Sequence, residues 1–174
     1  MNYKKELIFE QMAKCYSEDF IFRACNQALR EQDFSKVNSI GPFCFLFNEL
    51  ISYFDAMRIY SYTGKVWRGM ILDRNQVEDF SSKKVGDYFY WPAFTSTSKK
   101  KEVAKIFAGL KEANYQCLFE IEMDSRGVDI SKLSSKENEE EVLIHAGLML
   151  KVVKFEKQKS EKGVVYFFHL TTYF

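Results

Sequence analysis

Two carboxylates, Glu139 and Glu141, stand two residues apart at the foot of the apolar run Val142-Leu-Ile144. Side chains alternate across a strand, so residues i and i+2 share a face. A carboxylate pair placed so can stabilise a developing positive charge and accept a proton. Glu140 falls on the opposite side, and Glu137 reads as loop surface. A solvated acidic turn ahead of a buried strand would look the same. The pair therefore gains weight only from what precedes it, Val66-Trp-Arg-Gly69 and then Phe94-Thr-Ser-Thr-Ser98.

Arg68 reads as a mid-strand residue among neighbours that favour burial. Arginine is seldom buried without an anionic partner, and its fork matches phosphate oxygens with two parallel hydrogen bonds. The plain alternative is an edge-strand arginine pointing to solvent. Gly69 beside it marks a place where a ligand or a backbone comes close. Ser96, Thr97 and Ser98 are ordinary residues between a strand and a helix, and Ser98 is expected to cap the helix that follows. Lys99, Lys100 and Lys101 then fall in its first turn, where positive charge opposes the helix dipole. They either lie in solvent or face an anion, a ligand phosphate or an acidic partner surface.

The elements that must position these residues follow from periodicity. Ser17 to Glu31 reads as a capped helix with Ile21, Cys25, Ala28 and Leu29 on one face. Pro42 is expected at the first position of a second helix, whose stripe is Phe43, Leu46, Phe47, Leu50, Ile51 and Phe54. Beyond Gly64 the pattern turns strand-like: Lys65 to Leu72, Tyr88 to Phe94, Cys117 to Met123 (half-exposed), Val142 to Ile144, Leu148 to Phe155 and Val164 to Tyr173. Two helices interrupt it, Asn75 to Ser82 and Lys99 to Leu110, the latter with Val103, Ile106, Phe107 and Leu110 as its stripe. Gln158 to Gly163 is a polar hairpin turn. The expectation is one α+β domain over residues 1–174, helical through residue 60 and strand-rich from 61, with helices packed on mainly antiparallel strands.

Composition narrows the function classes. Hydrophobic residues make up 47% and aromatics 17%, which supports a packed core, and a net charge of +1 gives no nucleic-acid footprint. No apolar run is long enough to span a bilayer, and the start carries none of the kind a signal peptide requires. Cys15, Cys25, Cys44 and Cys117 lack metal spacing and read as thiols, Cys25 and Cys44 as buried ones, with a disulfide in a secreted form as the alternative. His145 and His169 lack ligand spacing, so no metal is expected, and neither a Gly-x-Gly-x-x-Gly nor a Walker loop is present.

Arginine, Ser-Thr-Ser and Glu-x-Glu in this order resemble the signature of mono-ADP-ribosyltransferases of the Arg-Ser-Glu class, arginine-specific enzymes found as eukaryotic ecto-enzymes and bacterial toxins. The stretches 23–30, 91–98 and 128–134 are similar to the same family, so the likeness covers most of the chain from about residue 20. His145 stands where many relatives carry proline, and Trp67 where tyrosine is more usual. The resemblance implies N-terminal helices on a mixed, mainly antiparallel two-sheet core, with NAD as substrate and a protein bearing an accessible arginine as partner. It implies that Arg68 holds the NAD phosphates, that the Gly69 backbone meets the nicotinamide amide, and that Phe94 belongs to the cofactor site. Ser96 would orient Glu141, Glu141 would stabilise the ribosyl cation left as nicotinamide departs, and Glu139 would present the acceptor arginine. An NAD glycohydrolase, with water as acceptor, shares every cofactor residue, and an inactive binding module shares the fold. A secreted toxin or effector and a cytosolic enzyme would share this core.

Overall fold

The computed structural model describes residues 2–32, 34–53, 59–109, 115–160 and 163–172. Three helices open the chain: α1 (Asn2–Ser17), α2 (Asp19–Glu31) and α3 (Phe34–Tyr53). The periodicity reading contains no counterpart to α1, although Phe9, Ala13 and Tyr16 at i, i+4 and i+7 are all buried. Ser17 ends this helix instead of capping the next, its hydroxyl donating to Lys14 O at 2.8 Å. Pro42 lies inside α3 and not at its start. Proline there removes one backbone hydrogen bond, but the helix is held by burial of Cys44, Phe47, Leu50 and Ile51. Its inward face is rotated from the expected stripe, leaving Leu46 44% exposed. Phe54 lies outside the described residues.

The remaining elements are β1 (Ser61–Ile71), α4 (Arg74–Ser82), β2 (Tyr88–Tyr90), β3 (Thr95–Ser98), α5 (Lys101–Phe107), β4 (Tyr115–Asp129), β5 (Glu141–Ile144), β6 (Met149–Ser160) and β7 (Gly163–Thr172). Seven strands run in the order β1-β3-β5-β4-β7-β6-β2, and β1 also pairs with β4. Among the described residues only β4 and β7 pair in parallel, so the sheet is mixed and mainly antiparallel. The first part of β4, Tyr115 to Glu122, pairs with β7, and its end, Gly127 to Asp129, pairs with β5. Hydrogen bonding is thus continuous, and the two halves expected as sheets are joined through β1 and β4. Leu110, Tyr173 and the tip of the β6–β7 hairpin lie outside the described residues; pairing continues to Ser160↔Gly163.

Two cores flank this arrangement. One packs Val66, Phe119, Ile121, Val142, Leu150 and Phe168 between the strands and α4, and the other packs Phe9, Tyr16, Phe47 and Phe94 with Leu143 under the three helices. Strand β5 serves both, since Val142 and Ile144 face the first core and Leu143 the second. The expected strand from Tyr88 to Phe94 is divided: β2 stops at Tyr90, pairing resumes at Thr95, and Pro92, with no N–H to give a ladder, lies in the gap. Ser96 and Ser98 consequently sit within β3. The expected half-exposed strand over Cys117 to Met123 is buried on both faces through Phe119, and polar only at Glu120 and Glu122.

Helix α5 departs from its expected stripe for a steric reason. A Cβ on Gly69 would come within 1.7 Å of Ala104 O and 2.6 Å of Ala108 N. Helix and strand therefore touch backbone to backbone, and the small residues Ala104 and Ala108 face inward, 1% exposed each. Ile106 and Phe107 are left 76% and 55% exposed. The close approach that Gly69 signalled is that of a helix backbone.

Candidate active site

A cavity of about 390 Å³ opens where the helical layer meets β1, β3, α5 and β5. Every residue expected at the site lines it: Arg68 and Gly69 on β1, Phe94 and Ser96 at β3, Glu139 and Glu141 at β5. Tyr16, Asn26, Arg30, Ser134 and Lys136 line it too, and the sequence reading assigned none of them a role. Asn26 and Arg30 are i and i+4 on α2, so the polar edge beside buried Cys25 was the signal that could have found them.

The two carboxylates reach one cavity by a route that strand alternation does not describe. Glu139 ends a 3-10 turn, Glu137–Glu139, while Glu141 is the first residue of β5. Between them Glu140 adopts a left-handed conformation, φ 45°, uncommon for a residue with a side chain. The kink turns the Glu140 carboxylate out to pair with Lys100 at 2.7 Å. Lys99 pairs with Asp129 at 2.8 Å and reaches Ser131 at 3.3 Å. Both lysine side chains are paired with carboxylates of the protein, and Lys99 N also donates to Glu140 O at 3.1 Å, which ties this stretch to the segment that carries Glu139. They also fall outside the expected helix, since α5 begins at Lys101, and Ser98 does not cap it. Ser98 Oγ instead donates to Glu139 O and accepts from Lys100 N at 2.9 Å.

Glu141 is 7% exposed, and burial raises its carboxyl above the usual range. The neighbouring hydroxyls of Ser96 and Ser134 oppose that rise, Glu139 adds to it by repulsion, and Lys136 lowers it. Arg68 donates from Nη1 to Ser96 O at 2.7 Å and lies 5.8 Å from the Trp91 ring. Burial brings its guanidinium down to about 10, still charged at neutral pH. Its Nε is buried and has no hydrogen-bond partner among the described residues. On the facing helix, Asn26 donates to Tyr16 Oη at 2.8 Å, while its Oδ1 is buried and similarly unmatched. Burial pushes the Tyr16 phenol well above its ordinary value, so it stays neutral. Arg68 and Asn26 both line the cavity, which is of small-molecule size. Among the described residues no group of three or more His, Cys, Asp or Glu side chains could hold a metal ion.

A family model described as NAD:arginine ADP-ribosyltransferase matches residues 11–166. The chain belongs to this family, and it is an ADP-ribosyltransferase that uses NAD as substrate. Among solved structures, the ADP-ribosyltransferase Vis of Vibrio splendidus in complex with agmatine is similar at 23% identity and a TM-score of 0.74, covering 95% of this chain and 74% of that one. The ADP-ribosyltransferase HopU1 of Pseudomonas syringae pv. tomato is 22% identical with a TM-score of 0.66, over 87% of this chain and 65% of that one. Exoenzyme S of Pseudomonas aeruginosa, solved with human 14-3-3 protein beta and carba-NAD, is 18% identical with a TM-score of 0.61, over 90% and 69%. No curated protein matches by sequence.

Proposed function

We propose that the protein transfers ADP-ribose from NAD to the guanidinium of an arginine on a target protein and releases nicotinamide. The observation that carries this reading is the carboxylate pair: a buried Glu141, with Ser96 and Glu139 lining the same cavity. Cleavage of the nicotinamide–ribose bond leaves an oxocarbenium-like ribosyl cation, and a fixed carboxylate in a dry pocket stabilises that charge. In this reading Glu141 is that carboxylate and Ser96 holds its rotamer. Arg68 and Arg30 take the diphosphate, and Asn26 meets a sugar hydroxyl. Phe94 and Gly69 wall the nicotinamide end. Glu139 receives the incoming guanidinium and takes its proton as the C–N bond forms. The agmatine complex of Vis supports a guanidinium acceptor, because agmatine is a small guanidine.

Hydrolysis of NAD by water is the second reading, and Lys136 favours it. Its side chain lines the same wall as Glu139 and adds positive charge where a guanidinium would enter. Incubation with NAD, with and without agmatine, separates the two. Transfer predicts ADP-ribosyl-agmatine beside free nicotinamide, with Glu139→Gln abolishing the adduct while NAD cleavage continues. Nicotinamide without adduct would leave hydrolysis, and intact NAD would overturn both. The structural likeness to toxins and type III effectors supports a role as an effector acting on a host protein.

A further inference from the structure

Glu139 and Glu141 line the same cavity, but the fold holds them by different means. Glu141 is the first residue of β5, paired with Ser98 of β3, and its carbonyl accepts from Ile130 N at 3.0 Å. Glu139 lies outside that ladder, at the end of a single 3-10 turn, where its N–H donates to Lys136 O at 3.0 Å. One turn of this kind has poor hydrogen-bond geometry and little hold of its own. What fixes it comes from the neighbouring segment, where three consecutive residues grip two. Ser98 Oγ donates to Glu139 O, Lys99 N donates to Glu140 O at 3.1 Å, and Lys100 Nζ pairs with the Glu140 carboxylate at 2.7 Å. Lys99 Nζ is committed elsewhere, to Asp129 at 2.8 Å. Glu140, the residue so gripped, has φ 45°, a left-handed conformation that a side chain makes costly and glycine adopts freely.

We propose that the ion pair of Lys100 and Glu140 positions Glu139: it holds Glu140 left-handed, and that kink sets how Glu139 enters the cavity. This rests on the reading of Glu139 as the group that receives the acceptor guanidinium. The φ angle of Glu140 is the hinge between the two carboxylates. Its relaxation to the extended region would swing the chain before it, Glu139 included, while Glu141 stays in the ladder of β5. The pair therefore governs how ADP-ribose is shared between a guanidine and water, and not how fast NAD is cleaved. Its side chains are 52% and 37% exposed, so the effect is that of a solvent-screened pair, a matter of a few-fold.

The test is the ratio of ADP-ribosyl-agmatine to free ADP-ribose formed in one reaction with NAD and agmatine. A ratio within one reaction does not depend on how much of a variant is folded. Lys100→Met is expected to lower it about threefold, the size a partly exposed ion pair can carry. NAD cleavage without agmatine should be unchanged. Glu140→Ala loses the pair and keeps the backbone strain, so it should fall at least as far. Glu140→Gly also loses the pair but adopts the left-handed conformation freely, and it should fall less than alanine. Lys100→Glu combined with Glu140→Lys should restore the ratio that either reversal alone lowers. A ratio unmoved in Lys100→Met, glycine and alanine variants that match, or a double reversal no better than the single ones overturns the proposal. Each of the last two results would make Glu140 a charge in the acceptor's path and nothing more. If the wild-type protein forms no adduct, the acceptor role of Glu139 falls and the proposal with it. If it forms adduct and the variants leave the ratio unmoved, the proposal alone falls.

Discussion

Glu141 takes up its charge only against the cost of its burial, which raises its carboxyl above the ordinary range. A carboxyl whose folded pKa lies above its unfolded value contributes stability below the unfolded pKa and loses it as pH rises through the folded one. Above its folded pKa the charged Glu141 is therefore a net burden on the fold. Glu141→Gln is expected to raise Tm at pH 7 and to lose that advantage near pH 4, while removing NAD cleavage. Thermal melts at the two pH values check it. A glutamine variant less stable at both would mean that the hydroxyls of Ser96 and Ser134 compensate the charge fully. The same shift places the acid limb of activity above the ordinary glutamate value of about 4.3. A limb at or below that value would remove Glu141 from the rate-limiting chemistry.

Elements decide what single residues could not announce. Arg68, Ser96 and the Glu-x-Glu pair each have an ordinary alternative, and only their order along the chain singled them out; the fold brings them to one cavity. Asn26 and Arg30 were not singled out, since a polar helix edge looks the same whether it faces water or a cavity. Ala104 was illegible for a different reason. The face that α5 buries is set by the missing side chain at Gly69, and helical periodicity favoured the larger Val103, Ile106 and Phe107. Strand alternation does not describe how Glu139 and Glu141 come to line one cavity: Glu139 ends a 3-10 turn, and the left-handed Glu140 joins it to β5. Gly69→Ala tests the packing. Its Cβ would overlap Ala104 O, so α5 must lift away from β1, at an expected cost of about 1–3 kcal/mol in urea unfolding. NAD cleavage should fall with it, because α5 is one wall of the cavity. A stability unchanged by the substitution would mean that α5 shifts freely, and that the wall it forms is not fixed by packing.

At the scale of the molecule, the cavity is a joint between two layers that have separate cores. Strands supply Arg68, Ser96 and Glu141, and the helical layer supplies Tyr16, Asn26 and Arg30. A ligand holding residues of both layers binds the folded protein and not the unfolded chain, so it must stabilise by mass action, about 2.7 kcal/mol at a hundredfold excess over Kd. NAD is accordingly expected to raise Tm, and nicotinamide alone, which reaches neither Asn26 nor Arg30 in the proposed pose, to raise it far less. Arg30→Ala should leave the Tm of the free protein nearly unchanged, since Arg30 lies on the outer part of α2, and should cut the increment from NAD. Arg68→Ala should cut that increment further and also lower the free protein's Tm, because it empties space beside Trp91 and frees the Ser96 carbonyl. An equal increment in all three proteins would mean that NAD contacts only one layer. The helical layer would then be a lid over the site and not one side of it, and specificity for NAD would have to come from the strands alone.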